Sequence, residues 1–254
     1  MTEPKLFRYG KQLTTHDALK IVGVSFMILD HLGDFFFNDQ MTLRVLGRLA
    51  APLFFFLIGY TSRLRISKTL IFFGIVLSLL QSDLYRHVFV NILINFIFLQ
   101  LFLSLLQAKA PRLFNNTVFF ISFTLLCTVL SFFTYHFLEY GFLGWIIALG
   151  ARLKALQGKK MSIKADFWLL TGLVVYFLFE CSYFRFELSR PHLALFQALM
   201  LGLYLSFSFY RLAPVRCPAG IRVLFLILSR YSLEIYFYHL LLCFFYVIFL
   251  KYPQ

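Results

Sequence analysis

Asp30, His31 and Arg48 are the residues here whose types and spacing could do chemistry. Asp30 and His31 are adjacent, deep in one apolar segment, and Arg48 stands near the start of the next, after a short polar turn. A carboxylate, an imidazole and a guanidinium are poorly suited to hydrocarbon. Asp or Arg at a helix centre costs roughly 2.5–3.5 kcal/mol on insertion scales, so such groups pair, face the bundle interior and mark functional paths. Helical neighbours project about 100° apart, so Asp30 and His31 do not face each other. Asp34, one turn on, shares the stripe of Asp30. The chemistry on offer is proton transfer: a carboxylate bonded to one imidazole nitrogen fixes the tautomer and leaves the other to take a proton. The plain alternative is a set of buried polar groups bridging neighbouring helices.

Further candidates lie along the chain. Arg44 and Arg48 share a helical face in the stretch LRVLGRLAAPLF. Arg48 can turn back to Asp30 or Asp34, or hold a carbonyl or phosphate oxygen. Pro52 removes a backbone bond and frees a carbonyl. Glu139, in LEYGFLGWIIALG, precedes Gly141 and Gly144, which admit another helix or a ligand to the backbone, and His136 is a candidate partner for it. Asn91 and Asn95 are one turn apart, and interhelical hydrogen bonding is their default. In YSLEIYFYHLLL, His239 falls near mid-membrane if the span begins at Tyr231. It is either a satisfied core group or a member of the same site. The catalytic set expected is Asp30, His31, Arg48, Glu139 and His239.

The elements that must position these residues follow from composition. The 254 residues are 61% hydrophobic and 14% charged, with 35 Phe, whereas globular chains stay near half apolar. Apolar runs of about 17–25 residues recur, the length that crosses a ~30 Å hydrocarbon core. An all-α, polytopic transmembrane bundle of about nine spans is therefore expected. The candidate spans are 18–37, 44–62, 69–84, 90–107, 117–137, 141–156, 165–183, 192–211 and 222–250. The last divides into a brief helix over 222–229 and a true span from Tyr231. Residues 1–17 read as a basic cytoplasmic segment, and 18–254 as a single integral membrane domain. A cleaved signal is not expected, because the first apolar run is too long, carries Asp30 and lacks a small-residue cleavage site.

The net charge of +13 does not point to nucleic acid, because the cations are spread over short loops rather than gathered with stacking aromatics. With the N-terminus inside, seventeen of the 24 Lys and Arg fall on inner segments and six on outer ones. That bias predicts a multi-pass protein with a cytoplasmic N-terminus. Asp34, Asp39, Asp83, Glu139, Glu180 and Glu187 trend outward. They line an outward cavity that attracts an amine or hydroxyl substrate, or simply collect where the cations are sparse. The four cysteines have no disulfide or metal-ligand spacing, and no metal site is expected. The absence of a Walker loop, G-x-G-x-x-G, H-E-x-x-H and G-x-S-x-G withdraws support from ATP use, hydride transfer, zinc proteolysis and serine hydrolysis.

The run of motifs DALKIVGVSFMILDHLGDF, LRVLGRLAAPLFFFLIGY, VNILINFIFLQL, LEYGFLG and YSLEIYFYHLLL resembles the TraX family, the membrane proteins that acetylate conjugative pilin. Glu139 departs from the Asp expected there but keeps the charge. The closing S-L-E-I-Y-x-x-H also resembles integral membrane acyltransferases that O-acetylate envelope sugars. The TraX resemblance implies transfer of an acetyl group from acetyl-CoA to the N-terminal amine of a pilin or fimbrial subunit, at the bacterial inner membrane and among its lipids. An α-amine of pKa near ~7.7–8 then needs only one base and one donor to the developing oxyanion. On this expectation the CoA phosphates meet basic inner loops at Arg63, Arg65, Arg152 and Lys154. Two rivals stand beside it: a non-enzymatic pilus or fimbrial assembly factor, and an O-acetyltransferase acting on envelope polysaccharide with His31 or His239 as base.

Overall fold

A computed structural model describes residues 12–37, 40–61, 66–158, 163–183 and 188–251. Their regular structure is helical, with only isolated bridges at Thr14–Pro214 and Val90–Leu138 besides. Helix α1 (Thr15–His31) begins in a reciprocal cap, the Thr14 hydroxyl taking the Asp17 amide while the Asp17 carboxylate takes the Thr14 amide. It continues into a wider turn over Leu32–Phe36. Next come α2 (Met41–Gly47), α3 (Ala50–Tyr60), α4 (Lys68–Tyr85), α5 (Ile92–Lys109) and α6 (Thr117–Thr134). The rest are α7 (Leu143–Gln157), α8 (Ile163–Tyr183), α9 (Arg190–Ser208), α10 (Ala219–Arg230) and α11 (Ser232–Tyr246).

By length and composition, six stretches of the described residues can cross a membrane: Met41–Tyr60, Ile92–Lys109, Thr117–Thr134, Ile163–Ser182, Arg190–Ser208 and Ser232–Phe249. This is an all-α membrane protein. The segments expected at 18–37, 69–84 and 141–156 are also helical, as α1, α4 and α7, but fall outside that set. The segment 44–62 is not one continuous helix. Pro52 has no N–H to bond the Arg48 carbonyl, and the chain turns at Arg48–Leu49 before resuming as α3. The final segment divides at Tyr231 into α10 and α11.

The chain forms two compact units. The first takes the described residues up to Phe54 and from Ser189 onward; the second takes Phe55–Leu188. In the first, α1 packs on α2, α10 and α11, and α2 on α9. Helices α1 and α11 run in the same direction, since Ser229 just before α11 meets Asp17 and His239 meets His31. In the second unit α7 is buried along almost its whole length. It lies antiparallel to α8, with Ile147 against Gly172 and Lys154 against Asp166. Gly144 admits a helix rather than a ligand: a Cβ there would lie 2.1 Å from the Phe55 ring.

Candidate functional site

His31 is half-buried at the C-terminal end of α1, and its partner comes from the far end of the sequence. Its Nδ1 lies 2.5 Å from Nε2 of His239, and the two rings stack with centroids 4.7 Å apart. His239 Nδ1 donates to the Ile235 carbonyl, 2.9 Å away, one turn back on α11. In a neutral ring that donation leaves His239 Nε2 as an acceptor. The tautomers follow from this pattern: His31 donates from Nδ1 and keeps a lone pair on Nε2. Phe35 and Tyr236 flank the pair, their rings about 6 Å from His31. The expectation that a carboxylate would orient His31 is corrected here, because the orienting group is a second imidazole.

Asp30 is instead engaged by arginines. Arg44 Nε lies 3.5 Å from its Oδ1, and Arg48 Nη1 lies 3.9 Å from its Oδ2. Arg44 also forms an ion pair with Asp34. Two acids one turn apart, Asp30 on α1 and Asp34 on the wider turn that follows, thus face two arginines one turn apart at α2, and their formal charges balance. Gly47 makes this possible, since a Cβ there would lie 2.2 Å from the Asp30 Cβ. The helices can touch backbone to backbone only with no side chain between them. Balance matters, because a buried carboxylate without its cation costs several kcal/mol. Asp30 Oδ1 is nevertheless buried and accepts no hydrogen bond, only the longer ion-pair contact.

Glu139 belongs to the second unit. Its Oε2 accepts from the Ile92 amide at 2.9 Å and from Asn91 Nδ2 at 3.2 Å, at the positive N-terminal end of α5. Asn91 also donates to Gln81, at 2.8 Å. Asn95 donates to the carbonyls of Glu139 and Gly141, at 2.9 and 2.7 Å, and accepts from Trp145 Nε1 at 2.7 Å. Both asparagines are fully buried. They hold a tight turn in which Tyr140 and Gly141 take positive φ values of 61° and 50°. Such a conformation is costly for a bulky residue and persists only where surroundings impose it.

Arg152 and Lys154 require a correction as loop cations. Both lie within α7, where they are 1% and 7% exposed. Arg152 donates to the Thr61 carbonyl at 3.0 Å and to the Gln107 side chain; Lys154 pairs with Asp166 at 2.8 Å. Buried cations keep such partners because each is expensive to strip, so neither is open to a phosphate. Arg63 and Arg65 lie outside the described residues. The structure therefore joins Asp30, His31, Arg48 and His239 in one unit and adds Arg44 and Asp34. Their i, i+4 spacing from Arg48 and Asp30, already visible in the sequence, is the signal that marks them.

Fold and site together define a helical membrane protein with a partly buried, charge-balanced polar centre and an imidazole pair. The chain belongs to the TraX protein family, whose family model matches residues 15–218. That membership points to a membrane protein of pilus or conjugation systems. A protein of Rickettsia prowazekii (strain Madrid E), named only as uncharacterized, is 28% identical over 101 residues. The match covers 39% of this chain and 41% of that relative, so it spans about two fifths of the relative's length. No solved structure matches.

Proposed function

We propose that this protein is an inner-membrane acyltransferase, with a cytoplasmic N-terminus, that moves an acetyl group from acetyl-CoA to the N-terminal amine of a pilin or fimbrial subunit. Family membership supports the substrate class. The observation that carries the chemistry is the His31–His239 pair, whose tautomers leave a lone pair on His31 Nε2, next along the chain to the Asp30 oxygen that accepts no hydrogen bond. His31 is 14 residues beyond Asp17, about 21 Å along the helix, past the middle of a ~30 Å core. On a chain whose N-terminus is inside, that depth lies on the side where a processed pilin N-terminus arrives.

In this reading Asp30 Oδ1 accepts an N–H of the incoming amine and orients it. The amine nitrogen attacks the thioester carbonyl, forming the C–N bond as the C–S bond breaks. His31 Nε2 takes the proton the amine loses, and CoA leaves as the thiolate. Arg44 and Arg48 pair with Asp30, and their N–H groups serve as donors to the developing oxyanion. Positioned bases of this kind contribute about 10²–10⁴-fold. Glu139 serves the fold, as the acceptor that closes the α5 N-terminus.

A second reading, a non-enzymatic assembly factor, draws support from the Asp30–Arg44–Asp34–Arg48 ladder, which by itself would bind α1 to α2. Mass spectrometry of pilin from cells carrying wild-type, His31→Ala or Asp30→Asn protein separates the two. The expected result is that the N-terminal acetyl mass disappears in both variants while the protein stays at normal level in the membrane. Pilin that is acetylated equally in all three strains, or in none, sinks the enzyme proposal.

A further inference from the structure

Helix α10 is 12 residues long, about 18 Å, well short of the ~30 Å hydrocarbon core. Both of its flanks are fastened to the same end of α1. Ahead of it, Thr15 N donates to the Ala213 carbonyl at 2.9 Å and Val215 N to the Leu13 carbonyl at 2.7 Å. Near its C-terminus, the buried Ser229 donates to Asp17 Oδ1 at 2.6 Å. Leu13 and Asp17 stand four residues apart on either side of the Thr14 cap, so the segment departs and returns at the same end of α1. A span cannot do that. Only three residues, Arg216 to Pro218, separate the first tether from the helix.

The faces of α10 differ sharply. At about 100° per residue, Val223, Leu224 and Ile227 lie on the arc opposite Ser229, and all three are roughly half exposed. Arg222 lies on the side of Ser229, and Arg211, Arg216 and Arg222 are all exposed. An apolar face turned away from the protein, a short length and flanking arginines are the features of a helix lying in a membrane interface.

We infer that α10 lies flat at the headgroup–acyl boundary of the leaflet where α1 begins. Val223, Leu224 and Ile227 enter the acyl region, and Arg216 and Arg222 meet the headgroups of anionic phospholipids. This rests on the chain being a membrane protein and not on acyl transfer. Each arginine near an anionic surface shifts the balance of seated over unseated helix by about five-fold.

The test uses the full chain with its native cysteines replaced, reconstituted in phosphatidylcholine vesicles with or without phosphatidylglycerol. Nitroxide labels at single cysteines placed at 223, 224 and 227 are compared with labels at exposed Tyr238, Leu242 and Phe245 of α11. Collisions with oxygen and with a water-soluble nickel chelate report depth. The α10 labels should share one shallow depth, while the α11 labels show a steady gradient. A gradient along α10 like that of α11, or full access to nickel at all three positions, overturns the inference. Removing phosphatidylglycerol should lift the α10 labels toward water without altering the α11 gradient, and Arg216→Gln with Arg222→Gln should do the same. If α10 depth ignores lipid charge in the unaltered protein, the assignment to anionic headgroups is wrong.

Discussion

The two imidazoles of the His31–His239 pair are held differently, although each looked alike in its apolar run. His239 spends its Nδ1–H on a backbone carbonyl and so can only accept from His31. In the proposed mechanism it is a positioning residue, and His31 Nε2 is the nitrogen left for a proton. His239→Leu should strip the acceptor from His31 Nδ1–H, release the tautomer and lower acetyl transfer by about 10²–10⁴-fold. His239→Gln, whose amide oxygen can take that N–H, should retain a measurable part of the rate. Single-turnover transfer in vesicles, followed across pH, checks both. Equal losses in the two variants would make His239 a packing residue. The Asp30–Arg48 contact was legible beforehand, because one short turn joins their helices. The His31–His239 contact was not, since 208 residues intervene and periodicity says nothing about which distant helix is the neighbour.

Among the elements, α7 shows how a charged segment becomes an interior one. Its length and three basic or amide residues near the C-terminus suggest a span ending in a loop. Instead the helix is enclosed, and Lys154 is neutralised by Asp166 from the antiparallel α8. Lys154→Met should leave Asp166 buried without its cation and cost roughly 3–5 kcal/mol, read as a lower unfolding temperature in detergent. Adding Asp166→Leu should recover most of the loss, because an apolar pair of similar volume is often neutral or better than a buried ion pair. An unchanged midpoint in the single variant would show that the pair is solvated. The same logic explains the two asparagines of α5. They do bond between helices as expected, Asn91 to Gln81 of α4 and Asn95 to Trp145 of α7, and Asn95 also clamps a turn with positive φ, a geometry that no spacing rule announces.

For the molecule as a whole, the sequence carries orientation in its cations. Seventeen basic residues against six, alternating by loop, are the basis of the proposed cytoplasmic N-terminus under the positive-inside rule. Cysteines introduced at Ala110 and Val215 should therefore react only with reagents that reach the cytoplasm. Those at Val88 and Ser189 should react with an impermeant thiol reagent added to intact cells from outside. Labelling in the reverse sense would invert the topology, and with it the side from which acceptor and donor must come.

By itself, the sequence determined that this is a helical membrane protein, because apolar runs of membrane length and cations at their ends report on solvent, which acts locally. It also marked Asp30, His31, Arg48 and His239, since ionisable groups in hydrocarbon are conspicuous whatever surrounds them. Only the tertiary structure decided that the imidazoles stack on each other and that the carboxylates belong to the arginines. It likewise decided that Glu139 closes a helix end and that Arg152 and Lys154 are enclosed. Those outcomes depend on which faces meet, and a face is given its neighbours by packing across the whole chain.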